Sequence, residues 1–452
     1  MATLTSPGAL LTDLYELTML QVYWREGMGE TAAFELFVRR LPAQRGFLLV
    51  TGLEEAVRYL LELRFQDEEL DWLKSEGRFD PAFVDSLRAL RFTGDLDAVP
   101  EGTVMFADEP LLRVSAPIAQ AQLAESRIIN LVHYQTMVAS KAARCVLAAG
   151  GRELVDFGLR RAHGAEAGLL SARASYLAGF HASATTLAGL RYGIPVSGTM
   201  AHSFVQANVS EGTAFRAFCR VFPGQATLLI DTYDIEAATR EVLALSAELR
   251  AAGQPPVAAV RIDSGDLAVQ ARRVRAMLDA GGCRHIRIVA SGNLDEYAIA
   301  RLAGQGVPID VYGVGTRMNT AADAPYLDCA YKLVEYAGQP RRKRSEKKTT
   351  WPGRKQVWRA ADQTGKIGGD TLGLAHETLP GRPLLQPVLR GGRLCAPLPA
   401  LEGIRATVRR ELASLPPGLC ALEPVNPLLP EPSAALRALT EQLDARLAAA
   451  RH

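Results

Sequence analysis

Six short apolar runs between residues 153 and 312 each end in side chains that can bind an anion or carry a proton. In order, these ends read DFGLRRAHG, SGTMAHS, DTYD, RIDSGD, SGN and GVGT. His202 follows Ile194–Val196, a run expected to end a buried strand, stopped by Ser197-Gly198. An imidazole at such a turn towards a helix can act as a nucleophile near neutral pH. Arg261 and Asp263 stand two residues apart in VRIDSGDL, on one side of an expected strand. The arginine could pair bidentately with a carboxylate or phosphate, and the aspartate could hold sugar hydroxyls or stabilise positive charge at an anomeric carbon. An internal Arg261–Asp263 salt bridge is the alternative.

Three further ends suit phosphate. In DVYGVGTRMN, Gly313 and Gly315 would let backbone N–H groups approach an anion, and Thr316 could add a hydroxyl. Met318 occupies the third glycine position, so this is no dinucleotide fingerprint. Ser291-Gly292-Asn293 would make a matching second half. After the first run, Arg160 and Arg161 with His163 place up to three cations within four positions. Asp231 and Asp234 could serve magnesium or hydrogen bonding, or be structural. There is no Walker A sequence, so any use of ATP must rely on these strand ends.

Such ends need a scaffold that opens them on one face. The runs Glu153–Asp156, Ile194–Val196, Ala226–Asp231, Val257–Ile262, Ile286–Ala290 and Ile309–Tyr312 are expected strands. Between them, Ile235–Ala251 and Leu267–Ala280 carry helical periodicity. A repeating βα unit implies a parallel sheet, doubly wound or closed as a barrel whose active site lies at the C-terminal strand ends. The flanks lack this rhythm. Upstream are an expected helix Thr12–Glu26 carrying Tyr15, a strand Ala32–Arg39 and a long helix Ile128–Ala149. Downstream are strands Tyr331–Tyr336, Val357–Arg359 and Leu385–Leu389, then helices Leu401–Leu412 and Ser433–Leu447. The basic stretch Arg341–Lys355 could steer phosphates or be a solvated charge run. The chain thus reads as α/β, with an α+β segment over 1–127, a barrel over 128–325 and a C-terminal segment over 326–452 that joins the first.

Composition narrows the class. The 452 residues are 48% hydrophobic and 22% charged, with a formal net charge of +2. That is ordinary for a globular protein and implies no nucleic-acid partner. Six cysteines, at 145, 219, 283, 329, 395 and 420, form no CxxC and suggest free thiols in a reducing compartment. The opening stretch MATLTSPGALLTDLYEL has no basic region, and Asp13 and Glu16 interrupt its apolar run. No apolar run reaches membrane-spanning length, so a cytoplasmic protein is expected.

LLTDLYELTM, DFGLRRAHG, GIPVSGTMAHSFV, VRIDSGDL, SGN and YGVGTRMNTAADAPYLDCAYKLVEY together resemble the nicotinate phosphoribosyltransferase family, in order and over most of the chain. The resemblance implies an irregular (β/α) TIM-like barrel, with an open-faced sandwich built from the N- and C-terminal segments, usually as a homodimer. It implies condensation of nicotinate with 5-phosphoribosyl 1-pyrophosphate to nicotinate mononucleotide and pyrophosphate, in NAD salvage. ATP, with Mg²⁺, would be coupled through a phosphohistidine at His202. Tyr15, Thr199 and Arg261 would contact nicotinate, and Asp263 would sit at the ribose. Gly292, Gly313, Gly315, Thr316, Arg160 and Arg161 would hold the phosphates of the donor. One departure is His181, in Gly-Phe-His where relatives often carry Gly-Phe-Asp. The nicotinamide-using relatives have an acid near Ser183–Thr186; this chain has Ser-Ala-Thr-Thr, which favours a carboxylate substrate. A barrel that binds without catalysis is the remaining alternative.

Overall fold

The chain carries two sets of strands that follow different rules. The computed structural model describes residues 8–345, 348–423 and 426–449. It divides into one unit of residues 1–140 and 326–452 and a second of residues 141–325. The division falls inside one continuous helix, Glu125–Ala149, rather than at the expected 127/128 boundary.

The second unit is a parallel sheet. Its strands are β1 Glu153–Asp156, β2 Ala182–Ser183, β3 Thr227–Leu229, β4 Ala259–Ile262, β5 Arg287–Ala290 and β6 Val311–Val314. They lie in the order β2-β1-β6-β5-β4-β3, every neighbour pair parallel. Each crossover returns through a helix, as parallel strands require. Capping is local: Asp234, Asp266 and Asp295 accept backbone N–H groups at the starts of the helices Ile235–Ala251, Leu267–Ala280 and Glu296–Gly304. Asp234 is thus a helix cap.

The sheet is a half-barrel, and its ladder does not close by strand pairing. The expected strand Ile194–Val196 is a single bridge, Ser183 to Val196. Its partner β2 is only two residues long, and Pro195 has no N–H to donate. The inner face is lined by small apolar side chains, Val155, Ala182, Ala259, Val289 and Val311, with Phe157 against them.

In the first unit, both chain segments feed one antiparallel sheet. Cys329–Tyr336 pairs with Thr31–Val38, which pairs with Pro110–Pro117. Asp95–Ala98 and Gln386–Arg390 continue it. A four-stranded sheet centres on Lys355–Ala361 and Ile367–Leu374. Buried ion pairs stud this unit: Lys355 meets Glu35 at 2.7 Å, and Arg359 meets Asp370 at 2.6 Å. The basic stretch is therefore partly neutralised, because Arg342 and Arg344 also pair with Asp444. Lys347 of that stretch, and residues 1–7 of the opening stretch, lie outside the described residues. Among the described residues no helix is long and apolar enough to cross a membrane, and all six cysteines are free thiols.

Candidate active site

At the ends of β3, β4 and β5, Asp231, Arg261, Asp263 and Ser291 form one hydrogen-bonded cluster, with His202 beside it. Arg261 lies near the end of β4, with its side chain 14% exposed. Its Nη2–H donates to Asp263 Oδ1 at 2.6 Å and its Nε–H to Ser291 Oγ at 2.8 Å. The Ser291 hydroxyl donates to the same Asp263 oxygen at 2.5 Å. From below, the Phe157 ring faces the guanidinium, 5.2 Å from its carbon. Both sequence readings of Arg261 therefore meet here: the salt bridge to Asp263 exists, and the guanidinium keeps unclaimed N–H groups in a partly open site.

Asp263 is oriented from its backbone as well. Its N–H donates to Asp231 Oδ2 at 2.9 Å, and Ser264 donates to the same oxygen at 2.6 Å. Asp231 Oδ1 is buried without a hydrogen-bond partner. Asp263 Oδ2 lies 4.0 Å from His202 Nε2. His202 opens the short helix His202–Gln206, as the sequence suggested, and its Nδ1 is 3.1 Å from Thr232 Oγ1. The ring is 41% exposed, open to a reactant.

Phe157 joins this cluster to Thr199. A cavity of 160 Å³ lies under the sheet, lined by Phe157, Thr199, Thr227 and the small residues Ala259 and Val289. The Thr199 hydroxyl donates to the Thr227 carbonyl, which ties the 197–199 loop to the start of β3. Thr199 therefore lines the inner cavity beside Phe157.

The glycines serve close packing. A Cβ at Gly292 would lie 2.1 Å from the Asp263 carbonyl oxygen, and its φ is +98°. A Cβ at Gly313 would strike the Phe157 ring at 2.6 Å, and one at Gly315 would sit 3.0 Å from the Phe157 carbonyl. Each glycine thus has a steric cause in this fold, independent of any anion. Thr316 opens the four-residue helix Thr316–Asn319 and is exposed. Arg160 and Arg161 lie exposed on the 3₁₀ turn Leu159–Arg161, and among the described residues neither makes an ion pair. The two turns pack on each other, since Asn319 fills the space beside Gly158.

Beneath that turn Asp156 is fully buried and accepts the Gly158 N–H at 2.7 Å and the Ser183 hydroxyl at 2.9 Å. Burial raises its carboxyl to about 6, against the two donors that favour ionisation. Tyr15 belongs to the first unit, on the helix Leu14–Arg25, and is 45% exposed. Burial, then the charge of Glu125, pushes its phenol well above the ordinary range.

Sequence reasoning missed Phe157 as a chemical group and Ser291 as the hub of the pair. The first stood in plain view in DFG, directly at a strand end. The second has no local signal, because Ser291 and Arg261 meet only across β4 and β5.

Residues 10–133 match the family described as the nicotinate phosphoribosyltransferase (NAPRTase) N-terminal domain, and residues 152–350 match the NAPRTase family itself. The Mycobacterium tuberculosis protein named nicotinate phosphoribosyltransferase pncB2 is 48% identical over 417 residues, covering 92% of this chain and 89% of its own. The Bacillus subtilis nicotinate phosphoribosyltransferase is 40% identical over 378 residues, covering 82% of this chain and 76% of its own. The crystal structure of human nicotinic acid phosphoribosyltransferase superposes with a TM-score of 0.86 at 34% identity, covering 96% of this chain and 100% of that one. By sequence and by fold, then, this chain belongs to the nicotinate phosphoribosyltransferase family.

Proposed function

We propose that this chain joins nicotinate to 5-phosphoribosyl 1-pyrophosphate, giving nicotinate mononucleotide and pyrophosphate in NAD salvage. The observation that carries the reading is the Arg261–Asp263–Ser291 cluster over Phe157, with His202 beside it. In this reading the half-barrel is the irregular (β/α) barrel of the family and the other unit its open-faced sandwich. The protein acts in the cytoplasm as a homodimer.

The chemistry asks for positioning more than for a base. The pyridine nitrogen of nicotinate is itself the nucleophile, so the site must hold the carboxylate and aim the ring at the anomeric carbon. Arg261 supplies the charge for the carboxylate, and Phe157 supplies a flat apolar wall. Tyr15 and Thr199 remain assigned to nicotinate. Asp263 Oδ2, free of hydrogen bonds within the cluster, faces the place where positive charge builds as pyrophosphate departs. Arg160, Arg161, Thr316 and the turns at Gly292, Gly313 and Gly315 are assigned to the phosphates of the donor.

ATP enters through His202. With Nδ1–H donated to Thr232, the neutral ring presents the Nε2 lone pair for attack on a γ-phosphate, the bond to the β-phosphate breaking and ADP leaving. The phosphoryl group then passes to water. Mg²⁺ fits the residues present: Asp231 Oδ1 is buried and unpartnered, and Asp263 Oδ2 lies nearby on the next strand end. Two carboxylates with substrate phosphates are a usual magnesium set, and the ion would neutralise phosphate charge there. Release of pyrophosphate from the donor tests the reading. It should depend on nicotinate and not on nicotinamide; release that ignores both, or favours the amide, would sink it.

A further inference from the structure

We propose that Ser291 is a positioning residue that fixes which edge of Arg261 meets the substrate carboxylate. The inference rests on the reading of Arg261 as the carboxylate-binding group. A guanidinium can grip a carboxylate bidentately by its side edge, through Nε–H and one Nη–H, or by its end edge, through the two terminal nitrogens. Here the side edge is already spent. Nε–H donates to Ser291 Oγ at 2.8 Å, and Nη2–H donates to Asp263 Oδ1 at 2.6 Å. What remains is the end edge, so the incoming carboxylate is met end-on.

The serine hydroxyl has no freedom to do otherwise. Its one hydrogen goes to Asp263 Oδ1 at 2.5 Å, and its lone pair takes the Arg261 Nε–H. The residue is 2% exposed, and its backbone N–H donates to the Ile262 carbonyl at 2.9 Å, which anchors it to β4. A Cβ at Gly313 would come within 3.1 Å of the Ser291 Cβ, so the neighbouring strand presses on this position too. Ser291 thus ties the ends of β4 and β5 together through one oxygen. It also holds Asp263 Oδ1 in place, which leaves Oδ2 facing His202 at 4.0 Å. Ser291-Gly292-Asn293 looked in the sequence like half of a phosphate turn. The hydroxyl is committed to the Arg261–Asp263 pair instead.

Removing the hydroxyl frees Arg261 Nε–H. Asp263 Oδ1 loses the serine's hydrogen bond as well, so a carboxylate can compete with it for the side edge, which turns the pyridine ring away from the anomeric carbon. Binding survives in part while turnover falls. The test compares wild type with Ser291→Ala and Ser291→Cys, a weaker hydrogen-bonding group of similar shape. It measures kcat and KM for nicotinate, KM for the phosphoribosyl donor, and Tm. In the Ala variant kcat should fall about tenfold or more, with the donor KM and Tm close to wild type. The Cys variant should fall between the two, and it carries the test if the Ala variant does not fold. An active wild type whose Ala or Cys variant keeps kcat and nicotinate KM within about twofold overturns this proposal alone. So does a loss in Tm with turnover per folded molecule unchanged. A wild type that makes no mononucleotide overturns the functional reading, and this inference with it.

Discussion

Replacing Arg261 with alanine separates a substrate contact from a structural ion pair. The guanidinium makes three contacts with its own chain: Asp263 at 2.6 Å, Ser291 at 2.8 Å and the Phe157 ring at 5.2 Å. The Asp263 side chain is 32% exposed, so water can solvate its carboxylate once the arginine is gone. The structural loss should therefore be modest, about 1 kcal/mol for a partly exposed pair. A charge-assisted contact to the substrate carboxylate in a partly desolvated site is worth more, about 2–4 kcal/mol. In kcat/KM for nicotinate that is a loss of roughly 30- to 900-fold. The KM for ATP should stay near its wild-type value. Arg261→Lys should recover only part of the loss, because an ammonium keeps the charge without the planar fork. Steady-state kinetics beside a thermal melt reads both terms. A variant that loses several kcal/mol of stability yet keeps its nicotinate kcat/KM would show that Arg261 serves only its salt bridge, and the argument would fail.

Three more outcomes are expected. His202→Ala should lose nicotinate-dependent ATP hydrolysis while keeping slow, ATP-independent mononucleotide synthesis. Label from γ-phosphate should appear on wild type as an acid-labile, alkali-stable adduct, and hydrolysis that persists in step with product would remove His202 as the carrier. Gly292→Ala puts a Cβ on the Asp263 carbonyl at a positive φ, so it should cost about 2 kcal/mol or more by chemical denaturation and weaken donor binding; wild-type stability would contradict the steric account. Asp156 has a raised carboxyl, so between 3.8 and about 6 the native state holds more protons than the unfolded chain. Its contribution therefore favours folding below that window and is lost as pH rises through it, by about 3 kcal/mol. Asp156→Asn should flatten that part of the stability–pH curve relative to wild type, and an unchanged slope would refute the burial argument.

The parallel unit was legible because its signals are local. Ile235–Ala251 and Leu267–Ala280 occupy the residues that their periodicity indicated, each behind a capping aspartate. Glu153–Asp156 likewise begins and ends where the apolar run does. What failed to show were elements made by neighbours. Ala182–Ser183 is too short to carry a period, and Ile367–Leu374 contains two adjacent glycines that read as a turn. Ile194–Val196 looked like a strand from its composition, but only a two-residue partner stands beside it. The same division holds at the site. His202, Arg261 and Asp263 were marked by residue type and by place at strand ends. The hub role of Ser291, the stacking of Phe157 under Arg261 and the hold of Thr232 on His202 arise only when separate strands are brought side by side.

The central claim is that this cluster builds a mononucleotide from a pyridine carboxylate. Its most direct test is one product measurement. Purified protein is given 5-phosphoribosyl 1-pyrophosphate, ATP and Mg²⁺ with either nicotinate or nicotinamide, and the nucleotides formed are identified by mass. The account predicts nicotinate mononucleotide and pyrophosphate in equal amounts, with at most trace product from the amide. No mononucleotide from nicotinate, or equal use of nicotinamide, would contradict it.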